Sequence, residues 1–220
     1  MKAQVQSEGI TVVLVGHFNP AIFTPYWFAE YDLIRVQEAE SAEIHVVHPD
    51  IASFDAAGIR FQVTRQKFSA STVNASCFQL VRDVVVGTFH LLEHTPILAI
   101  GINRDVHVRA QREAWERLSN RWVARDPFRD FMPSPAPCSL SVESERADGR
   151  QGQYTVKVEP SQRIQGVYLS VNDEIRRADD AVDHGCREII DVLEEGWHDA
   201  LTLSEAARDM VIAELNSNAD

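Results

Sequence analysis

The segment His90-Leu-Leu-Glu-His94 carries two histidines one helical turn apart, with a glutamate between them. In the H-x-x-E-H pattern of inverted zinc metallopeptidases, the paired imidazoles bind zinc and the glutamate activates water. On a helical wheel, however, His90 and His94 fall opposite the apolar stripe and face solvent, and no third ligand is evident. A zinc-dependent hydrolase using His90 and His94 is therefore a minor hypothesis beside two surface histidines, and we expect neither a metal nor a cofactor.

Polar residues follow two apolar runs that are typical of buried strands. Such residues at strand ends can orient a ligand, although asparagine and aspartate are also ordinary turn formers. The predicted strand-end cluster comprises Asn103, Arg104, Asp105, Asn172 and Asp173.

Alternation along other predicted strands places small and polar residues on one face of a sheet. Most of them are neutral, and aromatic Tyr168 lies among them. These exposed positions are the predicted partner-binding residues: Arg60, Gln62, Thr64, Lys157, Tyr168 and Ser170.

Several common function classes lack their motifs in this chain. Nothing matches G-x-x-x-x-G-K-[ST], G-x-G-x-x-G or G-x-S-x-G, which removes the usual nucleotide-binding and hydrolase interpretations. Cys77, Cys138 and Cys186 have no C-x-x-C spacing, and we expect them to be reduced thiols.

The formal net charge of −12 is concentrated toward the C-terminal end, where Arg187 and Arg208 stand among many acidic residues. This end should repel phosphate backbones and favour a basic or neutral partner. A helical stripe of Arg117, Arg121 and Arg125 could follow phosphates. Pairing of these arginines with neighbouring glutamates is the alternative.

Hydrophobic periodicity and turn residues predict the following elements. Strands are expected at residues 10–18, 42–47, 58–64, 67–73, 97–102, 139–145, 153–159 and 166–172. Helices are expected from 25 to 31 or 34 and at 74–94, 111–123, 179–200 and 202–215, with a proline-rich loop at 126–137.

The order strand, helix, three strands, long helix thus occurs twice, which indicates an internal repeat. We predict a single α+β domain over residues 1–220, with repeat one at 10–97, repeat two at 98–200 and a C-terminal helix at 202–215. The tandem β-α-β-β-β-α repeats would form one curved, mainly antiparallel sheet with the long helices on one face.

The repeated order resembles the duplicated saddle of the TATA-binding-protein fold. The local likeness lies between Arg60 and His94, where Phe61-Gln-Val-Thr-Arg-Gln-Lys-Phe-Ser-Ala-Ser-Thr72 aligns without gaps to that family's hairpin. The family's DNA-binding face is basic and inserts phenylalanine pairs, whereas the exposed positions here are mostly small and neutral, so DNA recognition does not carry over. The chain also resembles an uncharacterised family of short bacterial proteins through Gly101–Arg104 and Val171–Asp173.

These observations predict a non-enzymatic interaction module that binds a protein partner, or itself as a homodimer, through an exposed sheet face. A nucleic-acid-binding saddle using Arg60, Lys67, Lys157 and the arginine stripe is the alternative, disfavoured by the net charge. No apolar run reaches the about eighteen residues of a membrane span, and the N-terminal residues lack an apolar signal core. We therefore expect a cytoplasmic protein that does not contact membranes.

Overall fold

The computed structural model describes residues 2–177 and 185–217. Its strands are β1 (Gln4–Gly16), β2 (Glu43–His48), β3 (Ile51–Ala56), β4 (Ile59–Thr64), β5 (Lys67–Thr72), β6 (Ile97–Arg109), β7 (Leu140–Glu145), β8 (Gly152–Pro160) and β9 (Gly166–Arg176). Its α-helices are α1 (Pro25–Glu30), α2 (Val36–Glu40), α3 (Phe78–Leu91), α4 (Arg112–Trp122) and α5 (Arg187–Asn216).

All nine strands belong to one sheet with the order β2-β3-β4-β5-β1-β6-β9-β8-β7. Every neighbouring pair is antiparallel. The long strands β1 and β6 pair at the centre, with Ile10 opposite Arg104 and Leu14 opposite Ile100. The predicted α+β class and the large antiparallel sheet are therefore confirmed.

The two faces of this sheet differ in what covers them. On β1, Ile10, Val12 and Leu14 are buried beneath helices, whereas Thr11 and Val13 alternate with them on the other side and are partly exposed. The side that carries Ile10 is called here the helix-covered face, and the side that carries Thr11 the open face. The described long helices α3, α4 and α5 pack their apolar residues on the helix-covered face.

Two hydrophobic clusters lie under the helices. The first is rich in phenylalanine and fills the space beneath α1, α3 and the start of α5. The second is largely aliphatic and lies beneath α4 and the end of α5. Arg104 and Asp173 occupy the same face between the two clusters, 4% and 5% exposed.

Helix α1 shows how local sequence builds the first cluster. The Thr24 hydroxyl accepts a hydrogen bond from the Trp27 backbone N–H at 3.2 Å, and Pro25 fills the first helical position, where no N–H is needed. The resulting helix directs Phe28 onto the sheet, where its ring centroid lies 4.7 Å from that of Phe61.

The predicted count of three strands after the first helix is wrong, because the structure has four. Strand β3 was not predicted, since its sequence Ile-Ala-Ser-Phe-Asp-Ala mixes small and polar residues and follows the turn at Pro49 and Asp50. Its Phe54 is nonetheless fully buried, and it pairs across the sheet with Phe61. Helix α2 was also not predicted.

The predicted helix break before Thr202 is wrong as well. Helix α5 runs without interruption for 30 residues, so Thr202 lies within it and does not begin a separate helix. The Ser204 hydroxyl instead donates to the Leu201 carbonyl at 2.7 Å, and Val211 and Leu215 are buried in the second cluster. The predicted start of the helix at Asp179 lies outside the described residues.

A candidate binding groove on the open face

A groove of about 710 Å³ crosses the open face near the N-terminal end of β1. Its floor is made of small and polar residues from the central strands, including Gly9, Thr11 and Ser71. The β3–β4 turn forms one wall, and the segment between β8 and β9 forms the other. A volume of this size is typical of sites for small ligands or short peptide segments.

The first wall presents a fixed ion pair. Ala57 and Gly58 both have positive φ, 54° and 74°, as a two-residue hairpin turn of the I′ type requires. This turn sets Asp55 opposite Arg60 across the hairpin, where Arg60 donates from Nε and Nη2 to the two carboxylate oxygens at 2.9 and 2.8 Å. These hydrogen bonds hold the pKa of Asp55 below its usual value, so its carboxylate stays ionised.

On the other side of the groove, Tyr168 of β9 donates a short hydrogen bond to the Asp105 carboxylate of β6. Burial, together with this hydrogen bond, raises the pKa of Tyr168 to about 12. The Tyr168 ring lies against His107, with 5.0 Å between the ring centroids. Burial and the nearby Arg163 lower the pKa of His107. At neutral pH this wall therefore presents a neutral imidazole and a protonated phenol.

Ser161, His107 and Asp105 superficially resemble a catalytic triad, but their hydrogen bonds differ from one. The Ser161 hydroxyl lies 2.9 Å from His107 Nδ1 and accepts from the backbone N–H groups of Arg163 and Ile164, at 3.2 Å each. Asp105 accepts from Tyr168 and does not orient the imidazole. The serine therefore holds the loop, and this arrangement favours binding over nucleophilic catalysis.

Arg163 is the groove cation with no ion-pair partner among residues 2–177 and 185–217. Among the other charged lining residues, Asp55 is paired with Arg60, Glu8 with Arg104 and Glu159 with Lys157, whereas Asp105 accepts a hydrogen bond from Tyr168. A ligand with an acidic group would meet an unpaired guanidinium at this wall.

All six predicted partner-binding residues lie on the open face. Arg60 and Tyr168 line the groove, whereas Gln62, Thr64, Lys157 and Ser170 lie on the same face outside its lining. The sequence reasoning missed Asp55, His107, Glu159 and Arg163. Asp55 lies on the unpredicted β3, and Arg163 lies between the predicted strands at 153–159 and 166–172.

The predicted strand-end cluster is not at strand ends, because β6 continues to Arg109 and β9 to Arg176. The pairing places Asn103 opposite Asn172 at the centre of the sheet. Asn103, Asp105 and Asn172 face the open side, while Arg104 and Asp173 point under the helices.

The sequence predicts that these polar residues end their strands because buried strands are usually apolar. The two inward side chains are tolerated because each is paired. Arg104 donates to Glu8 at 2.8 Å and lies over the Phe78 ring, and Asp173 accepts from Arg146.

Three cations of the open face are neutralised by carboxylates on that face. Besides Arg60 with Asp55, Lys157 lies 2.8 Å from Glu159 and Arg176 2.7 Å from Glu174. The face therefore offers little net positive charge to a phosphate backbone.

The predicted helix carrying His90 and His94 ends too early to bring these residues together. Helix α3 ends at Leu91, so His94 lies beyond it, and its side chain is 96% exposed. His90 lies 4.0 Å from Glu194 and His94 3.7 Å from Glu93. The helical i, i+4 pairing on which the zinc hypothesis rests is thus wrong.

The predicted arginine stripe is also incomplete. Helix α4 ends at Trp122, which leaves Arg125 outside it, and Arg121 donates to Glu214 at 2.9 Å. Because α4 covers the opposite side of the sheet from Arg60 and Lys157, one nucleic acid could not follow the stripe and the open face together.

Among the described residues, three possible metal ligands come together at the sheet edge: Glu43, His45 and Asp55. A β-bulge between Ile44 and Val46 turns His45 toward Asp55, and its Nε2 lies 3.3 Å from Oδ1 of that carboxylate. The bidentate contact with Arg60 already neutralises Asp55, and Glu43 is exposed, so the group also suits a histidine ion-pair network.

Comparison with known proteins adds no family: neither models of protein families nor curated proteins match this chain. The resemblance to the TATA-binding-protein fold therefore remains a prediction. Within the described segments, no helix combines the length and the apolar character needed to span a bilayer.

Proposed function

We propose that this protein is a non-enzymatic interaction module that binds a protein partner, or a second copy of itself, through the open face of its sheet. The observation that carries the proposal is the groove, where side chains from both halves of the chain converge on a face that the long helices leave uncovered. Arg60 comes from the first half, and Asp105, Tyr168 and Arg163 come from the second.

The chemistry of the groove suits a polypeptide ligand. The glycine, serine and threonine residues of the groove floor allow close approach of a backbone. The groove walls offer both hydrogen-bond donors and hydrogen-bond acceptors. Tyr168 and Arg60 are residue types that are enriched at the centres of protein interfaces. Arg163, for which the described part of the chain offers no ion-pair partner, gives the site a preference for an acidic group.

We further infer that the sheet is a duplicated saddle like that of the TATA-binding-protein fold. This inference is supported by the strand order, in which β5 flanks β1 on one side and β9 flanks β6 on the other. Each of these flanking strands precedes a long helix, α3 or α5. The second half then has one strand fewer than the first.

Nucleic acid is not the ligand we propose. Arg60, Lys157 and Arg176 on the open face are paired with carboxylates, and the chain has a net charge of −12. A phosphate backbone would have to displace these carboxylates at each contact.

Site-specific photo-crosslinking tests the proposal. A photoreactive amino acid replaces Gln62, which is exposed on the open face, and in a second variant Arg117, which lies on the outer helix layer. On irradiation in an extract of the source cells, we expect discrete protein adducts, or a crosslinked dimer, from position 62 only.

The adduct from position 62 should weaken when Arg60→Glu is added, because a second carboxylate beside Asp55 gives the otherwise neutral ion pair of that wall a net negative charge. Equal adducts from positions 62 and 117, or no adduct from position 62, would contradict an interaction surface on the open face.

A further inference from the structure

Strand β2 lies at one edge of the sheet and pairs within the described chain only with β3. It exposes three apolar side chains: Ile44 at 53%, Val46 at 41% and Val47 at 55%. An edge strand presents unpaired backbone N–H and C=O groups, and exposed apolar residues on it favour pairing with another strand. It contains no proline or lysine, which are residues that commonly block such pairing.

The bulge gives β2 an unusual symmetry. Its register with β3 sets Glu43 opposite Asp55, Val46 opposite Ser53 and His48 opposite Ile51, all on the open face. Ile44 and Val47 lie on the helix-covered side, opposite Phe54 and Ala52. The extra residue at the bulge, His45, contacts Asp55 and so also lies on the open face.

Side chains of β2 therefore alternate symmetrically about a point between His45 and Val46. Moving away from this point in either direction, the first residue lies on the open face, the second on the helix-covered side and the third on the open face. In a regular strand, residues an odd number of positions apart lie on opposite faces. Residues that lie directly opposite each other in an antiparallel pair share one face of the sheet. A regular strand that paired with its own copy about a point between two residues would therefore set open-face residues opposite residues of the other face, and the bulge removes this conflict.

We propose that two copies of this chain dimerise by antiparallel pairing of their β2 strands about a two-fold axis between His45 and Val46. Ile44 then lies opposite Val47 of the second copy, and Glu43 lies opposite His48 of the second copy. The two nine-stranded sheets become one continuous sheet across the interface, with like faces aligned.

Side-chain complementarity selects a second copy as the occupant of this edge. The two Ile44–Val47 contacts cover the most exposed apolar groups of β2, and each carboxylate at position 43 meets an imidazole. The opposite edge, β7, lacks this complementarity, because Glu143 and Glu145 on its open side would repel their copies.

This interface is separate from the groove, so the two proposals fail independently. Dimerisation through the open face would be insensitive to Val47, whose side chain lies on the helix-covered side. Dimerisation through β2 leaves the groove residues Arg60 and Tyr168 free.

Sedimentation velocity over a range of protein concentrations tests the interface. The wild-type protein should be a dimer. Val47→Lys should weaken dimerisation roughly tenfold or more, because the two copies together place two buried lysines at the symmetric contacts. Val142→Lys is the matched control at the 69% exposed position of β7 and should leave the dimer unchanged.

A charge exchange tests the register itself. Glu43→Lys and His48→Glu should each weaken the dimer, and the double variant should restore it, since lysine then faces glutamate across the axis. Circular dichroism confirms that each variant is folded.

A monomeric wild-type protein at high concentration overturns the proposal. A dimer that Val142→Lys disrupts, or that the double variant fails to restore, overturns it as well. Pairing of β2 only with a different protein would appear as a wild-type monomer.

Discussion

The two faces of the sheet use neighbouring residues of the same strands for different purposes. On β4, Phe61 is fully buried among aromatic rings, whereas Arg60 and Gln62 on either side of it are exposed. On β9, Leu169 is buried under helices and Tyr168 lines the groove. Stability thus depends mainly on one face, which leaves the other free to carry exposed polar residues.

Charged residues make the same contrast. On the helix-covered face, Arg104 and Arg146 are enclosed, each with a side chain 5% exposed, and each is paired with a carboxylate and stacked on an aromatic ring. On the open face, Arg60 is paired but remains 56% exposed at its side chain. Removing a cation should therefore affect stability on one face and binding on the other.

The largest difference is expected within β4. Phe61→Ala removes a ring that lies 4.7 Å from Phe28 and 5.0 Å from Phe54, measured between centroids. We expect it to lower the free energy of unfolding by about 3 to 5 kcal/mol. Gln62→Ala should change it by less than about 0.5 kcal/mol. Urea denaturation of both variants measures the difference, and similar losses would contradict the division between faces.

A smaller difference is expected within β6. Arg104→Ala leaves Glu8 without its 2.8 Å partner and opens a gap over Phe78, so we expect a loss of about 3 kcal/mol. Asp105→Asn on the open face keeps an acceptor for Tyr168 and should cost less than about 1 kcal/mol. Thermal unfolding of the two variants checks the order, and a costlier Asp105→Asn would be inconsistent with it.

Acid pH should weaken the ion pair between Arg146 and Asp148. Hydrogen bonds from Arg146 lower the pKa of Asp148 from 3.8 to about 2. A carboxyl group whose pKa is lower in the folded state stabilises the fold at pH values above its pKa in the unfolded chain. This stability is lost as pH falls from about 4 toward about 2. Carboxyl NMR titration should place Asp148 near pH 2. Asp148→Asn should reduce the loss of stability over this range, and an identical loss in both proteins would refute the assignment.

The smallest effect concerns thiol chemistry and changes no stability. Burial raises the pKa of Cys186 to about 11, and its thiol donates to the Phe89 carbonyl at 3.2 Å. Cys138 is exposed. At pH 8 a thiol reagent should modify Cys138 rapidly and Cys186 only on unfolding. Cys138→Ser should remove the fast phase. Loss of a fast phase in Cys186→Ser would show instead that Cys186 is accessible.

The sequence predicted the fold wherever its pattern was regular. The alternation of Ile59, Phe61 and Val63 predicts β4 correctly, and the three- and four-residue spacing of Phe78, Val81 and Val85 predicts α3. Errors arose where tertiary contacts override local signals. Ser53 and Asp55 interrupt the apolar pattern of β3, so the sequence does not predict this strand. Packing in the second cluster stabilises α5 as one helix through Thr202, where the sequence predicts that a new helix begins.

The candidate site was predicted less completely than the fold. The alternation of side chains along each strand assigns Arg60 and Tyr168 to one face of the sheet. It does not show that the β3–β4 turn and the β8–β9 segment rise on either side of the central strands to form walls. The bulge at Ile44 and Val46 likewise has no clear sequence signal, and it places His45 and His48 on the same face, where a regular strand would separate them.

Cysteine protection tests most directly whether the open face is an interaction surface. Gln62→Cys and Arg117→Cys, each in a background in which Cys77 and Cys138 are replaced by serine, are labelled with a maleimide in purified form and in an extract of the source cells. Occupation of the open face predicts that labelling at position 62 is much slower in the extract, while labelling at position 117 is unchanged. Equal labelling of position 62 in both conditions would show that the open face is free and would contradict the proposed function.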